Sequence, residues 1–339
     1  MSKIIHIMKI GNKKIGINNP TYIIAEAGIN HNGNLEIAKT MIEKAAHCGV
    51  DAIKFQTLTP DELFSKTLSP KLFELIKKWS LTKKDHKILK KHAEKNGIDF
   101  LSTPIGKKTA KILFDINCKA IKLSSGDLNN FELISFLTDK KIPLIISTGM
   151  STISEITSVM EFLLNKNSQF CFLHTTSSYP TLDTDANLIN IKYFQNIFPV
   201  PIGYSDHTIG NEACMTAISL GACIIEKHFT LDKQMEGPDQ KLSADVNDFS
   251  NLVKSIRKIE KMFGTKRIGP INSEIQFQKN MRRSIVFKHN LKKNTILKKS
   301  DLIIVRPGIG VSPIMLKHIV GLKIKRNVKE GTLFKWDLL

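Results

Sequence analysis

A chain of 339 residues is too long for one small domain and suits a barrel of about 250 residues with a small appendage. Hydrophobic residues make up 42% of it, enough for a large core, yet no run reaches the ~18 apolar residues of a membrane span, which excludes a transmembrane helix. The net charge of +19 comes from lysines scattered singly and in pairs, such as Lys77-Lys78 and Lys292-Lys293, without a basic block or a nucleic-acid-binding motif; it reads as a solvated surface that steers an anionic substrate, not as a nucleic-acid interface.

Along the chain, Ile4–Ile10 and Lys14–Ile17 flank a Gly11-Asn12 turn and predict a β-hairpin within residues 1–20, structural and not a cleavable leader, placed to cover one end of the next domain. From Tyr22 a unit repeats: a short apolar run, a polar end, then a helical stretch. The runs are Tyr22–Ala27, Ala52–Gln56, Asp99–Thr103, Ala120–Leu123, Pro143–Ser147, Phe170–His174, Val200–Tyr204 and Cys223–His228. Their continuous apolar character is that of parallel strands buried on both faces. Helical spacing appears between them, as in Leu35–Cys48, Ser154–Leu164 and Asn211–Leu220, and Asp248–Phe263 follows the last run. Eight such alternations predict an α/β fold, a closed (β/α)8 TIM barrel over residues 21–264. An open doubly wound sheet fits less well, because no GxGxxG turn follows the first strand.

The longest connection, Asp61–Leu81, holds a predicted helix at Pro70–Trp79 and is a candidate lid. Residues 265–282 are polar, carry Gly269-Pro270 and read as a linker. The remainder, 283–339, predicts a small β-rich domain: strands at Ser284–Lys288, Thr295–Leu297 and Leu302–Val305, a helical turn at Leu316–Val320, and a Glu330-Gly331 turn. A unit this small is marginal alone and is expected to pack on another surface. The five cysteines, Cys48, Cys118, Cys171, Cys214 and Cys223, are odd in number and form no CxxC pair, so they predict free thiols in a reducing cytoplasm.

Chemistry in a barrel gathers at the C-terminal ends of the strands. Every run here ends in polar residues out of place in a core. Lys54 and Lys122 project inward and call for anionic partners, either Glu26 or Glu226 as an ion pair or a bound ligand. Around them stand the hydroxyls of Thr103, Ser125, Ser147 and Ser205, while Gly126 and Gly149 let backbone N–H groups approach closely; the set suits a phosphate and a carboxylate together. His207 and His228 end neighbouring strands and have the right types to share one divalent ion, Mn(II) or another transition ion in preference to Ca(II).

Several strings have a closer likeness. Ile23–Gly33, Ile53–Gln56, Leu101–Pro104, Lys122–Asp127, Ser147–Met150, Gly203–Thr208, Glu226–Asp232 and Gly237-Pro238-Asp239 together resemble the strand-end signatures of the sialic acid (N-acetylneuraminate) synthase family. The segment with Lys292–Thr295 and Arg306-Pro307-Gly308 is similar to the antifreeze-like (SAF) domain that ends members of that family. The likeness runs through nearly the whole chain, in order.

The resemblance implies a C–C bond-forming transferase. In such enzymes C3 of phosphoenolpyruvate attacks the aldehyde of open-chain N-acetylmannosamine, water adds at C2, and phosphate leaves by C–O cleavage to give N-acetylneuraminic acid. It implies a divalent metal on His207 and His228, Mn2+ foremost with Mg2+ or Co2+ as alternatives, polarising the aldehyde. Matched to the family, Lys54, Thr103, Lys122, Ser125, Ser147, Tyr179 and Ser205 bind phosphoenolpyruvate, while Glu26, Gln56, Asp239 and Arg306 face the sugar. Among these, Glu26, Lys54, Lys122 and Asp239 carry catalytic work, and Asp127 stands where relatives often have Glu, keeping a carboxylate for acid–base or charge-stabilising use. Arg306 lies in the small domain, and the family arrangement implies a domain-swapped homodimer in which it completes the partner's site. Ser177 departs from the Asn common in bacterial relatives; Asn129-Asn130 leans toward the N-acetylneuraminate makers. The alternative product is legionaminic acid, or another nonulosonic acid, from a 6-deoxy diacetamido sugar. A Schiff-base aldolase built on Lys122 is a less favoured reading, and a non-catalytic carbohydrate- or ice-binding protein less still.

Overall fold

The computed structural model describes residues 7–265 and 267–339, and the described chain divides after Gly264 into two compact units. The first unit opens with an antiparallel hairpin, β1 (Ile7–Ile10) and β2 (Lys13–Gly16), with Ile7 opposite Gly16. The part of the predicted hairpin at Ile4–His6 lies outside the described residues.

Eight parallel strands follow and close on themselves: β3 (Tyr22–Gly28), β4 (Ala52–Thr57), β5 (Asp99–Pro104), β6 (Ile121–Leu123), β7 (Leu144–Ser147), β8 (Phe170–His174), β9 (Ile202–Asp206) and β10 (Ile224–His228), with β10 pairing β3. The helices are α1 (Leu35–Cys48), α2 (Pro60–Leu63), α3 (Pro70–Trp79), α4 (Lys83–Lys95), α5 (Lys107–Asp115), α6 (Phe131–Thr138), α7 (Ile153–Asn165), α8 (Asn190–Ile197), α9 (Glu212–Ser219) and α10 (Val246–Met262). The (β/α)8 TIM barrel expected from the alternation is therefore present. None of the helices in the described residues is long and apolar enough to cross a membrane.

Local chemistry sets the helix starts. Asn34 caps α1 through the N–H groups of Glu36 and Ile37. Thr82 with Asp85, Thr152 with Glu155 and Asp245 with Asp248 form capping boxes on α4, α7 and α10. The connection after β4 is anchored by Glu62, whose carboxylate accepts from the N–H groups of Lys108 and Thr109 at the start of α5.

Period-two alternation divides the barrel core in two. Outward positions such as Ile23, Ala25, Ile53, Phe55, Ile146, Phe170 and Phe172 pack beneath the helices. Inward positions at the strand starts, Tyr22, Ile24, Ala52, Leu101, Ala120, Ile145, Cys171 and Ile224, form a separate cluster with Met8, Ile10 and Ile15 of the hairpin. The hairpin thus plugs the N-terminal end of the barrel, and chemistry is confined to the other end.

The second unit carries α11 (Asn272–Met281), which lies within the segment read as a linker. Its polar sequence buries no residue, so no apolar stripe announces it, though Glu274 at the third helical position bonds the Ile271 N–H. An antiparallel pair follows, β11 (Ser284–Phe287) and β12 (Leu302–Val305), then α12 (Leu316–Ile319). The strand expected at Thr295–Leu297 is a single bridge, Ile296 to Lys323. Ile285, Phe287, Leu297, Ile319, Ile324 and Phe334 form this unit's own core.

Candidate active site

Above the plugged end, the same inward columns turn polar. Tyr22 and Ile24 are followed by Glu26, Ala52 by Lys54 and Gln56, Leu101 by Thr103, Ala120 by Lys122, Ile145 by Ser147, and Ile224 by Glu226 and His228. These side chains, with Ser125, Ser177, Tyr179, Ser205, His207, Asp239 and Met150, line one cavity of about 420 Å3 at the strand C-termini. A larger groove of about 630 Å3 at the opposite end of the barrel is lined mainly by loop backbone and apolar groups, and its one carboxylate, Glu260, is already held by Arg257 and the Thr21 N–H.

The cavity floor is an ionic cluster. Lys54 Nζ lies 2.7 Å from Glu26 Oε2 and 3.7 Å from Glu226 Oε2, and it donates to Thr103 Oγ1 at 3.1 Å. Lys122 Nζ donates to Ser147 Oγ at 2.6 Å and lies 3.7 Å from Glu226 Oε1, which also accepts from Ser205 Oγ at 3.0 Å. Glu226 therefore stands between the two ammonium groups. Above one side, the imidazoles of His207 and His228 have centroids 5.5 Å apart, and the Tyr179 ring packs 4.1 Å from that of His207. Asp239 Oδ2 comes within 3.9 Å of His228 Nδ1. Ser125 Oγ accepts the Gly149 N–H at 3.0 Å, holding the loop after β7 against the loop after β6. Within that loop Met150 sits at φ 60°, a conformation that costs a non-glycine residue strain and tends to occur at functional sites.

All the sequence-predicted barrel residues but one meet here. Asp127 does not: its carboxylate is turned to the Ser124 hydroxyl at 2.6 Å and the Asn130 amide, and it closes a short 3-10 turn instead of lining the cavity. Asn130 likewise caps α6 through the Leu133 N–H, so the preference suggested by Asn129-Asn130 has no contact with the cavity behind it. Arg306 belongs to the second unit, where it is exposed and its Nε donates to the Met281 carbonyl at 3.0 Å. Sequence reasoning offers Glu226, which links both lysines, only as an ion-pair partner. Its place in the inward column, between Ile224 and His228, is the signal that points to more.

Comparison with known proteins decides the family. The NeuB family matches residues 41–268 and the SAF domain matches 282–339. The chain belongs to the NeuB family. An uncharacterized protein of Methanocaldococcus jannaschii is 43% identical over 331 residues, covering 97% of this chain and 98% of that one. The N,N'-diacetyllegionaminic acid synthase of Legionella pneumophila is 38% identical over 344 residues, 96% and 97% of the two chains. The crystal structure of an N-acetylneuraminic acid (sialic acid) synthetase from Leptospira borgpetersenii, in complex with citrate, superposes with a TM-score of 0.76 at 36% identity, over 81% of this chain and 97% of that one. The protein is thus an enzyme, a synthase of the sialic acid synthase (NeuB) family with a C-terminal SAF domain.

The electrostatics of this NeuB-family site follow from burial. Burial drives the Glu26 carboxyl up, Lys54 opposes it, Glu226 adds to it, and the result is about 7. Burial also works against Glu226, but Lys122, Lys54 and the Ser205 hydroxyl outweigh it and hold that carboxyl below the ordinary glutamate range. Lys54, with two carboxylates beside it, is raised in spite of burial. Lys122 is lowered, because burial and the nearby Lys54 exceed what Glu226 returns. It is the floor's under-compensated cation.

Burial favours the neutral form of both imidazoles. Burial, His207 and Lys54 push His228 down to about 3, and burial lowers His207 despite its bond to the Thr176 carbonyl. That 2.8 Å contact makes His207 Nδ1 the donor and leaves Nε2 with a free lone pair. His228 Nδ1 is buried with no hydrogen-bond partner. Two imidazoles, one of them with an orphaned ring nitrogen, are of the ligand type that could take a divalent transition ion, although among the described residues no three His, Cys, Asp or Glu side chains are gathered for one.

Proposed function

We propose that the chain condenses phosphoenolpyruvate with the open-chain form of an N-acetyl amino sugar, giving a nonulosonic acid and phosphate. The observation that carries this reading is the cavity floor, where two buried lysines share one carboxylate and the more weakly compensated one, Lys122, faces the cavity with Ser147. A trianionic substrate supplies the charge those amines lack.

Lys122, Ser147, Ser125 and Ser205 bind the phosphate and carboxylate, and Lys54 and Thr103 hold the other side. Tyr179 packs over the reacting end. C3 of phosphoenolpyruvate then attacks the aldehyde carbon, positive charge grows at C2, and Glu226 lies beneath to stabilise it. Water adds at C2. Glu26, with a carboxyl near 7, takes the proton that the water gives up. The tetrahedral intermediate breaks its C–O bond to phosphate as the C2 hydroxyl becomes the keto group, its proton leaving with the phosphate. Asp239, its carboxyl raised by burial, and Gln56 hold the sugar end, and Asp239 is placed to return a proton to the former aldehyde oxygen. A divalent ion on His207 and His228, Mn(II) by ligand type with Mg(II) or Co(II) as alternatives, supplies Lewis-acid polarisation of the aldehyde when bound. We place the enzyme in a reducing cytoplasm, a setting supported by five buried free cysteines. We assign it a domain-swapped homodimer in which Arg306 completes the partner's site.

A relative matched over nearly its whole length is an N,N'-diacetyllegionaminic acid synthase, which favours the 6-deoxy diacetamido sugar as acceptor. N-acetylmannosamine, giving N-acetylneuraminic acid, is the second reading, favoured by the likeness to the Leptospira enzyme. Phosphate release from phosphoenolpyruvate, measured with Mn(II) and each sugar in turn, tests both. Chelator-sensitive release with the diacetamido sugar alone supports the first reading, and release with N-acetylmannosamine moves the product to N-acetylneuraminic acid. Release with neither sinks the condensation as written.

A further inference from the structure

Just where the imidazoles begin, two charged side chains face away from the cavity. Asp206 precedes His207 at the end of β9, and Lys227 precedes His228 at the end of β10. The alternation that turns Ser205 and Glu226 inward turns Asp206 and Lys227 toward the helix layer, where most outward positions of the other strands are apolar. The two are paired in register across the strands, at 0% and 4% side-chain exposure, with Nζ 2.5 Å from Oδ2.

Much of their remaining bonding capacity goes to one residue, Thr208. Asp206 Oδ1 accepts from the Thr208 N–H and hydroxyl, each at 2.8 Å, and from the Tyr204 hydroxyl at 3.1 Å. Its Oδ2 accepts from the Cys214 thiol at 3.1 Å, and Lys227 also donates to the Thr208 carbonyl at 2.9 Å. The residue after His207 is gripped at both its N–H and its C=O, and the grip is anchored on the residue before His228. No hydrogen bond of its own holds the His228 Nδ1, so the place of that ring rests on the backbone that carries it and on its packing against Tyr179 and His207.

A buried ion pair adds little net stability over an apolar pair of similar volume; its best-attested use is to fix register. We propose that the Asp206–Lys227 pair is a positioning device that sets the separation and facing of His207 and His228, and through them the affinity for the divalent ion. The proposal rests on the reading of those histidines as the ion's ligands.

The test uses the whole 339-residue chain. Free Mn(II) is followed by electron paramagnetic resonance as it is titrated into wild type and into the Asp206→Leu/Lys227→Met double variant, which removes both charges together and so leaves neither buried alone. The expected result is a dissociation constant raised by about 10- to 100-fold, the usual effect of losing a residue that orients a metal ligand, with the circular-dichroism spectrum and melting temperature close to wild type. An unchanged affinity in the folded double variant overturns the proposal alone. Absence of saturable binding by wild type overturns the histidine-pair reading, and the proposal with it. Should the double variant lose its native spectrum, Asp206→Asn/Lys227→Gln, which also leaves neither charge buried alone and keeps polar atoms for Thr208, takes its place with the same expected rise and the same overturning result.

Discussion

The two ends of the barrel are built from the same eight strands and handle charge in opposite ways. At the N-terminal end the charges are closely matched. Asp99 accepts from the buried Tyr22 hydroxyl at 2.8 Å and pairs with Lys119 at 2.5 Å. Asp51 receives Lys13, Arg257 and the Ile23 N–H, and Arg257 also pairs with Glu260. At the mouth, the carboxylate that Lys122 faces stands 3.7 Å away and is shared with Lys54, and His228 Nδ1 has no hydrogen-bond partner. Burial raises Glu26 to about 7, so its contribution to stability is complete below the ordinary glutamate value and is lost as pH rises through about 7. One end is arranged for stability; the other leaves polar groups under-satisfied, at a cost to stability, so that a ligand completes them.

The largest effect that would break this contrast is at the mouth. Lys122→Met should reduce phosphate release by about 10^3-fold, on the scale of losing an electrostatic stabiliser of the transition state, while the melting temperature holds or rises because an under-compensated buried cation is gone. Activity within tenfold of wild type would show that the floor charge is structural after all. A smaller effect sharpens the claim that the mouth is completed from outside its own chain. Inactive Arg306→Ala protein mixed with inactive Lys122→Ala protein should regain part of the activity, since one barrel in each mixed dimer then meets an intact arginine. No recovery, with mixed dimers shown by mass spectrometry, would remove the swapped arrangement. The smallest kinetic effect belongs to the plugged end: Asp99→Asn should cost about 1.5–3 kcal/mol of stability, the range for hydrogen bonds to a charged group, and leave kcat and KM unchanged. A kinetic defect there without a fall in melting temperature would couple the two ends.

Much of this is readable from one sequence because a barrel strand repeats with period two and its function sits at one end. Ala52-Ile53-Lys54-Phe55-Gln56 already says which side chains share a face and that the last of them are polar. The helix at Pro70–Trp79 is legible from its proline start and apolar spacing, whereas Asn272–Met281 is not, since it buries no residue and shows no stripe. Asp127 misleads because a carboxylate one residue past a glycine reads alike whether it faces a cavity or closes a turn.

The strand count, the closed barrel, the inward columns and the family were determined by the sequence itself, since short-range alternation and strand-end chemistry need no knowledge of distant contacts. Only the tertiary structure decided that Glu226 would stand between Lys54 and Lys122, that Asp127 would turn away, that the end covered by the hairpin would be the N-terminal one, and that Asp206 would grip Lys227 behind the two histidines. Apart from Asp127, which closes locally on Ser124 and Asn130, each of those depends on which residues far apart in the chain are brought within a few ångströms, and for the charged groups on a medium of low dielectric, where a partner present or absent decides the charge a group will carry.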